Sequence, residues 1–289
     1  MKARFFFGSG GGAMLVREFL LRWYLASWTQ DPAVVTAGVS TLLTQAGTAE
    51  LTADLTPAQR AVAQDGQLAK QAARLAAATR YVTRVDAEYP PRLAEGLKPP
   101  LVLFYLGDWA ALARPTLGVV GARRASRYTH QALNQLTPAH ADWSIISGLA
   151  NGADTFAHDW ALAHGWPTIA VIANGLDVVY PATNRELQAR IAAAGLVISE
   201  YPLGTPPRPY RFVARNRLIA SLAHGVLVTE AAAHSGSLIT ANFALTANRD
   251  VFAVPNRLDA PLGQGTNALI AAGATPVSRP EDLTLRYYP

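Results

Sequence analysis

A chain of 289 residues, half of them hydrophobic and only 16% charged, can bury a sizeable core, and its length suits one large domain with a smaller companion. It has no cysteine, which excludes a disulfide framework and cysteine-based zinc sites, and no apolar run is long enough for a transmembrane helix. The formal net charge of +5 favours an anionic partner without naming one.

Residues 1–13 (MKARFFFGSGGGA) are Gly-rich and interrupted, and they lack the core of a signal peptide. They read as a leader or a mis-called start, with Met14 the natural beginning. Apolar residues recur at helical spacing over 15–26, a second helical segment covers 31–46, and a third pattern, rich in Ala, Gln and Arg, covers 56–79. Thr56-Pro57 is a start signal for the third, with the hydroxyl as cap and Pro in the first helical position. Residues 14–80 are therefore expected to form a small all-helical domain. Residues 81–100 contain Tyr89-Pro90-Pro91 and Pro99-Pro100; proline removes a backbone donor and favours extended chain, so this stretch reads as a connector. Residues 101–107 (LVLFYLG) read as a strand ending in a Gly turn.

From Leu117 onward strands alternate with helical patterns. Strands are expected at 117–121, 143–148, 168–173, 195–200, 225–230 and 250–255. Several are continuous apolar runs, as in strands buried on both faces, so the sheet should be parallel and covered by helices. Right-handed crossovers then give an α/β fold over residues 81–280: a Rossmann-like, doubly wound, mostly parallel sheet, with 281–289 left as a tail. Ligands in such sheets bind outside the carboxyl ends of the strands.

Two strand-to-helix turns are rich in glycine. The first is Gly118-Val119-Val120-Gly121, followed by Arg123, Arg124, Ser126 and Arg127; the second is Ile146-Ser147-Gly148, followed by Gly152 and Asp154. Glycine lets backbone approach a ligand closely, and the helix that follows presents unpaired N–H groups and a positive dipole end. Arginines beside such a turn add a charged fork for phosphate oxygens. Tight turns in α/β proteins also need glycine with no ligand at all, so one loop says little and two lean toward phosphate. Neither G-x-G-x-x-G nor G-x-x-x-x-G-K-[ST] is present.

Further strand ends supply more candidates. Tyr180, Asn184 and Arg185 follow the third of these strands; they are either phosphate and base contacts or a turn with a helix cap and a solvated arginine. Residues 202–217 interleave Arg208, Arg211, Arg215 and Arg217 with Tyr210 and Phe212, the ingredients of a single-strand groove. Arg215, Asn216 and Arg217 sit at a helix start. Ser235, Gly236 and Ser237 open another helix and can cap it or donate to phosphate. Asp154, Asp177, Glu200 and Glu230, with His158 and His234, are the groups available for acid–base chemistry, but no spacing organises them into one reaction. No metal-ligand spacing is seen and no cofactor is expected.

Taken in order, VGARRAS, SGLANGADTFAH, TIAVIANGLDVVYPATN, GLVISEYPLGT, FVARNRLIASL, VLVTEAAAHSGSLITA, RDVFAVPN and GQGTNALI resemble the bacterial DNA-processing protein A (DprA/Smf) family. The resemblance covers about 117–277, and YPPRLAEGLKPPLVLFYLG before it is also similar. It implies a Rossmann-like core that binds single-stranded DNA without sequence preference, protects incoming DNA in natural transformation, and helps load the RecA recombinase. It also implies a homodimer formed through that core and no catalysis, while the absence of cysteine fits a cytoplasmic location. Carried over by position, the DNA-binding residues are Arg123 of the first loop, Arg185, where the family commonly has Lys, Arg215-Asn216-Arg217 and Ser235-Gly236-Ser237. Gly121, Arg124 and Ser126 of the first loop, Ser147 and Gly148 of the second, and Asn184 complete the candidate DNA-binding set. Members often carry a small C-terminal winged-helix domain; the sequence ends at Pro289, so that domain is expected to be absent or removed. The helical region is similar to the family's sterile-alpha-motif-like domain in size and helicity.

The competing enzymatic reading is a nucleoside-phosphate hydrolase, like the phosphoribohydrolases with a similar core. There Glu200 or Glu230 would act beside a phosphate loop, but the P-G-G-x-G-T-x-x-E run of those enzymes is missing. A third reading is an interaction scaffold whose basic face meets an acidic protein.

Overall fold

In the computed structural model the described residues are 14–285, without 31, 46, 48, 52–54 and 138–141; the expected leader lies outside them. Helix α1 (Val16–Ser27) buries Phe19, Leu20 and Tyr24 on one face, and α2 (Pro32–Ala37) follows. The single pattern expected over 56–79 is two helices, α3 (Pro57–Gln64) and α4 (Gly66–Ala78). The break is made by Asp65, whose Oδ1 accepts from the N–H groups of Gln67 at 2.8 Å and Leu68 at 3.0 Å and so starts a new helix. At the start of α3, Thr56 Oγ1 accepts from the Gln59 N–H at 3.3 Å and Gln59 Oε1 accepts from the Thr56 N–H at 2.8 Å, the reciprocal cap its sequence announces.

The stretch read as a connector holds β1 (Arg80–Thr83) and a helical turn, α5 (Pro91–Ala94), before β2 (Val102–Gly107). β1 is four residues long with only its last two buried, so it leaves no apolar run to read. Strands and helices then alternate: β3 (Thr116–Val120), α6 (Arg127–Leu136), β4 (Ser144–Ser147), α7 (Ala153–Ala163), β5 (Thr168–Ile172), α8 (Arg185–Ala194), β6 (Leu196–Ser199), α9 (Pro209–Leu222), β7 (Gly225–Val228), α10 (Gly236–Thr246), β8 (Asp250–Ala253), α11 (Gln264–Ala271) and β9 (Thr275–Pro276).

The strands form one sheet in the order β1-β2-β6-β5-β4-β3-β7-β8-β9. It is parallel from β6 to β9, and the β1–β2 and β2–β6 pairings at one edge are antiparallel. Every residue of β3 through β7 is buried, as their continuous apolar runs require. Successive residues face opposite helix layers: Ile145 packs with Leu133 and Trp160, whereas Ile146 packs with Leu218 and Ile219. From β3 the chain lays β4, β5 and β6 outward on one side, then returns to place β7 against β3 and β8 and β9 on the other. The reversal of strand order falls between β3 and β7, where a crevice opens at the carboxyl ends.

The helical region shares its core with the sheet. Phe19, Leu20 and Leu42 belong to one apolar cluster with Val102, Phe104 and Val197, and the Tyr24 hydroxyl donates to the backbone carbonyl of Glu200. At the other end, residues expected in a tail fold back, with Leu283 only 4% exposed against the layer that holds Leu117 and Trp160. Among the described residues no helix is long and apolar enough to cross a membrane.

Candidate functional site

A cavity of about 450 Å³ lies at the β3/β7 crevice. The loop after β3 gives it Gly121, Arg123 and Arg124; α9 gives it Phe212, Arg215 and Asn216; the start of α10 gives it Ser235, Gly236 and Ser237. Arg123 and Arg124 are exposed. The Arg123 guanidinium carbon sits 5.4 Å from the centre of the Phe212 ring, and Phe212 in turn meets Tyr180 with ring centres 5.3 Å apart. Tyr180 is 44% exposed. Arg123 and Phe212 thus line the cavity with Tyr180 packed on Phe212 beyond it, a cation and two rings able to hold a phosphate and to stack bases. The sequence offered Tyr180 as a base contact after one strand and Phe212 as a stacking ring after another; their meeting with Arg123 depends on three separate strand-to-helix connections converging.

The glycines make room for the protein itself. A Cβ on Gly148 would fall 2.0 Å from Arg215 Nη1, and one on Gly121 would fall 2.7 Å from the Ala153 Cβ. The close approach that glycine permits is therefore to the side chain of Arg215 and to the start of α7.

Two of the helix N-termini expected to receive phosphate already hold a carboxylate. Glu230, 2% exposed, accepts at 2.8 Å from the Ser126 N–H, the Ser126 hydroxyl and the Thr129 hydroxyl, at the first turn of α6. Ser126 also caps α6, its Oγ accepting from the Tyr128 N–H at 3.0 Å, so it is occupied within the protein. Asp154, in the first turn of α7, accepts from the N–H groups of Gly148 at 3.1 Å and Ala150 at 3.2 Å. Burial raises the Asp154 carboxyl above its ordinary range, against the pull of Arg215. The start of α10 differs: Ser235 makes no side-chain cap, and its hydroxyl lies 2.6 Å from that of Ser237. Asn216 Nδ2 donates to the Gly236 carbonyl at 3.4 Å, tying α9 to this turn.

Arg215, Asn216 and Arg217, expected at a helix start, lie in the middle of α9, and several expected site residues are turned inward. Arg215, 4% exposed, donates from Nη1 to the carbonyls of Gly148 and, at 2.7 Å, Val171, closing the ends of β4 and β5. Burial lowers its pKa, and Asp154 opposes the shift. Arg217 faces away from the cavity and pairs with Glu200 through two bonds of 2.8 and 2.6 Å, both side chains almost wholly buried. Ser147 donates to the Val119 carbonyl at 2.6 Å, and Asn184 Nδ2 donates to the Leu149 carbonyl at 3.0 Å and to Thr155 Oγ1 at 2.9 Å. These two brace the second glycine turn. Arg185 is exposed at the start of α8.

The groups considered for acid–base work are also engaged. Both Glu230 and Glu200 spend their two oxygens inside the fold. His158 is fully buried with Nδ1 2.7 Å from Thr168 Oγ1, and burial pushes its pKa down to about 3. His234 is exposed.

The DNA recombination-mediator protein A family model matches residues 80–287, nearly the whole sheet with its helices. The chain belongs to the DNA recombination-mediator protein A family. Within that family it is 42% identical over 204 residues to the DNA processing protein DprA of Streptococcus pneumoniae, a match covering 70% of this chain and 72% of that one. It is 44% identical over 202 residues to protein Smf of Synechocystis, covering 67% of this chain and 50% of the relative, so this chain spans about half of that protein. Among solved structures, the X-ray structure of DprA from Streptococcus pneumoniae superposes with a TM-score of 0.77 at 31% identity, covering 96% of this chain and 99% of that one. DNA processing protein A from Helicobacter pylori, described for its single-stranded DNA binding mode, superposes with a TM-score of 0.63 at 31% identity over 70% of this chain and 93% of that one. The antiparallel edge and the β3/β7 crevice thus belong to an α/β, Rossmann-like architecture seen in this family.

Proposed function

We propose that the protein binds single-stranded DNA without regard to base sequence, using the crevice between β3 and β7. The observation that carries this is the run Arg123–Phe212–Tyr180, with Arg123 and Tyr180 exposed and Phe212 half-buried, beside a cavity where the start of α10 is left uncapped while the starts of α6 and α7 already hold a carboxylate. Phosphates fall to Arg123, Arg124 and the turn at Ser235–Ser237; bases stack on the rings. Arg185, exposed on the neighbouring helix start, extends the basic track. Arg215, Asn216, Ser147, Gly148 and Asn184 shape the crevice from behind. The Helicobacter pylori relative's described binding mode and the family's description as a recombination mediator support the reading. In its fullest form the protein covers incoming DNA in natural transformation and passes it to the RecA recombinase, as a cytoplasmic homodimer joined through the Rossmann-like part, and it is not an enzyme.

The test is fluorescence anisotropy of a labelled oligo-dT across a salt series, beside a duplex of equal length. Binding that favours the single strand and falls steeply with salt is expected, and Arg123→Ala should reduce the slope by about 0.7 through the loss of one phosphate contact. Preference for duplex, or indifference to salt, would overturn the reading.

A further inference from the structure

A second cavity, of about 360 Å³, lies where the end of α1 meets α9 and the loop after β6. Tyr24 and Trp28 wall it from the helical region; Tyr201, Tyr210, Arg211 and Ala214 wall it from the other side. The size is near the small end of ligand pockets, roughly 300–1,000 Å³. The Arg211 guanidinium carbon is 5.0 Å from the ring centre of Tyr201, 5.3 Å from that of Trp28 and 5.5 Å from that of Tyr210. Trp28 and Tyr201 meet edge to face at 6.4 Å. Arg211 is 7% exposed; Nη1 donates to the Pro206 carbonyl, and Nε has no partner among the described residues. A buried donor without an acceptor is costly and uncommon.

The complementary ligand is flat, carries carbonyl acceptors and is uncharged. Rings and a guanidinium plane stack nucleobases, and base carbonyls accept from N–H. Glu200 is neutralised by Arg217, and Arg211, the cation on the wall, is packed among three rings, whereas the first cavity presents exposed arginines. Helix α9 divides the two: Arg211 and Ala214 face this cavity, while Phe212 and Asn216 face the first. A helix with its side chains is only about 10–12 Å across, so one strand can serve both. Tyr210, 64% exposed, lies on the wall of this cavity two residues before Phe212.

We propose that this cavity is a second subsite for the strand, one that takes an unstacked base against the aromatic wall beside Arg211, so that the helical region contributes directly to DNA binding. The inference rests on the strand-binding reading above. It is tested by comparing wild type, Tyr210→Ala and Arg123→Ala on oligo-dT and on a strand of equal length built from abasic deoxyribose phosphates. Tyr210→Ala should weaken oligo-dT binding about five- to tenfold and change abasic binding by less than about twofold, since stacking alone is lost. Arg123→Ala should weaken both. Equal effects of Tyr210→Ala on the two strands, or none on either, would overturn the subsite and leave the basic groove standing. Failure of the wild type to bind either strand would remove both readings. A strand carrying 5-iodouracil gives an independent answer: photocrosslinks at Trp28 or Tyr210 support the subsite, and crosslinks confined to Tyr180 and Phe212 refute it.

Discussion

Around the carboxyl ends of the parallel strands, the loop after β3 and helix α9 both supply arginines, with opposite exposure. Arg123 and Arg124 project into solvent from a loop, whereas Arg215 and Arg217 lie on a helix face pressed to the sheet, 4% and 5% exposed. The strand ends explain the difference. A parallel strand finishes with carbonyls that need donors once buried, and Arg215 meets the carbonyls of Gly148 and Val171. Arg217 is held by Glu200. A guanidinium that has satisfied its surroundings has little left for a phosphate; one on a loop keeps its hydration until an anion displaces it. Arginine count alone therefore overstates a DNA-binding surface.

The largest effect that would sharpen this contrast is on stability. Arg217→Met leaves Glu200 charged and unpaired in the interior and should cost about 3–5 kcal/mol in urea unfolding, much of it recovered by adding Glu200→Leu. Arg123→Ala should change stability by less than about 0.5 kcal/mol. Were Arg217→Met to unfold like the wild type yet lose oligo-dT binding, the division into structural and DNA-facing arginines would be wrong. Next, Phe212→Ala should weaken oligo-dT binding by about 1–3 kcal/mol, the worth of a stacked base, measured by anisotropy at fixed salt.

The buried side also predicts acid sensitivity. His158 stays neutral in the fold down to about pH 3, from burial first and the charge of Arg215 second, while an unfolded histidine protonates near 6.5. Its contribution is intact above pH 6.5 and is lost as pH falls from there toward 3, at up to about 1.4 kcal/mol per pH unit. His224, pushed down to about 4 by burial and accepting from the Thr116 N–H at 2.9 Å, acts in the same direction. Asp154 has the opposite sign, because its raised carboxyl takes up a proton in the fold first. Unfolding free energies of His158→Gln between pH 6.5 and 4 should show a shallower slope than the wild type. The smallest effect belongs to Arg185→Lys: a solvated point contact keeps its charge, so oligo-dT affinity should stay within about twofold.

The sheet was legible because its central strands are buried on both faces and so read as unbroken apolar runs, as in β5 with TIAVI. β1 escaped because only half of it is buried and it abuts the cap of α4. Within the site, Arg123 and Arg124 could be read from a strand-turn-helix of a few residues. The orientation of Arg215 and Arg217 could not, since helical spacing gives a face only once the sheet's position is known. In retrospect Arg215 lies one turn before Ile219, which is buried. Glu230 capping Ser126 spans 104 residues of sequence, and no local pattern announces it.

That carboxylate has a consequence for selectivity. In nucleotide-binding proteins of similar architecture the place it fills is where a ligand's phosphate rests. With Glu230 there, a free mononucleotide finds its customary seat taken by a like charge and is left with Arg123, Arg124 and the start of α10. A strand gains from many such contacts at once. On the strand-binding reading, cellular nucleotides should therefore be poor competitors for the groove.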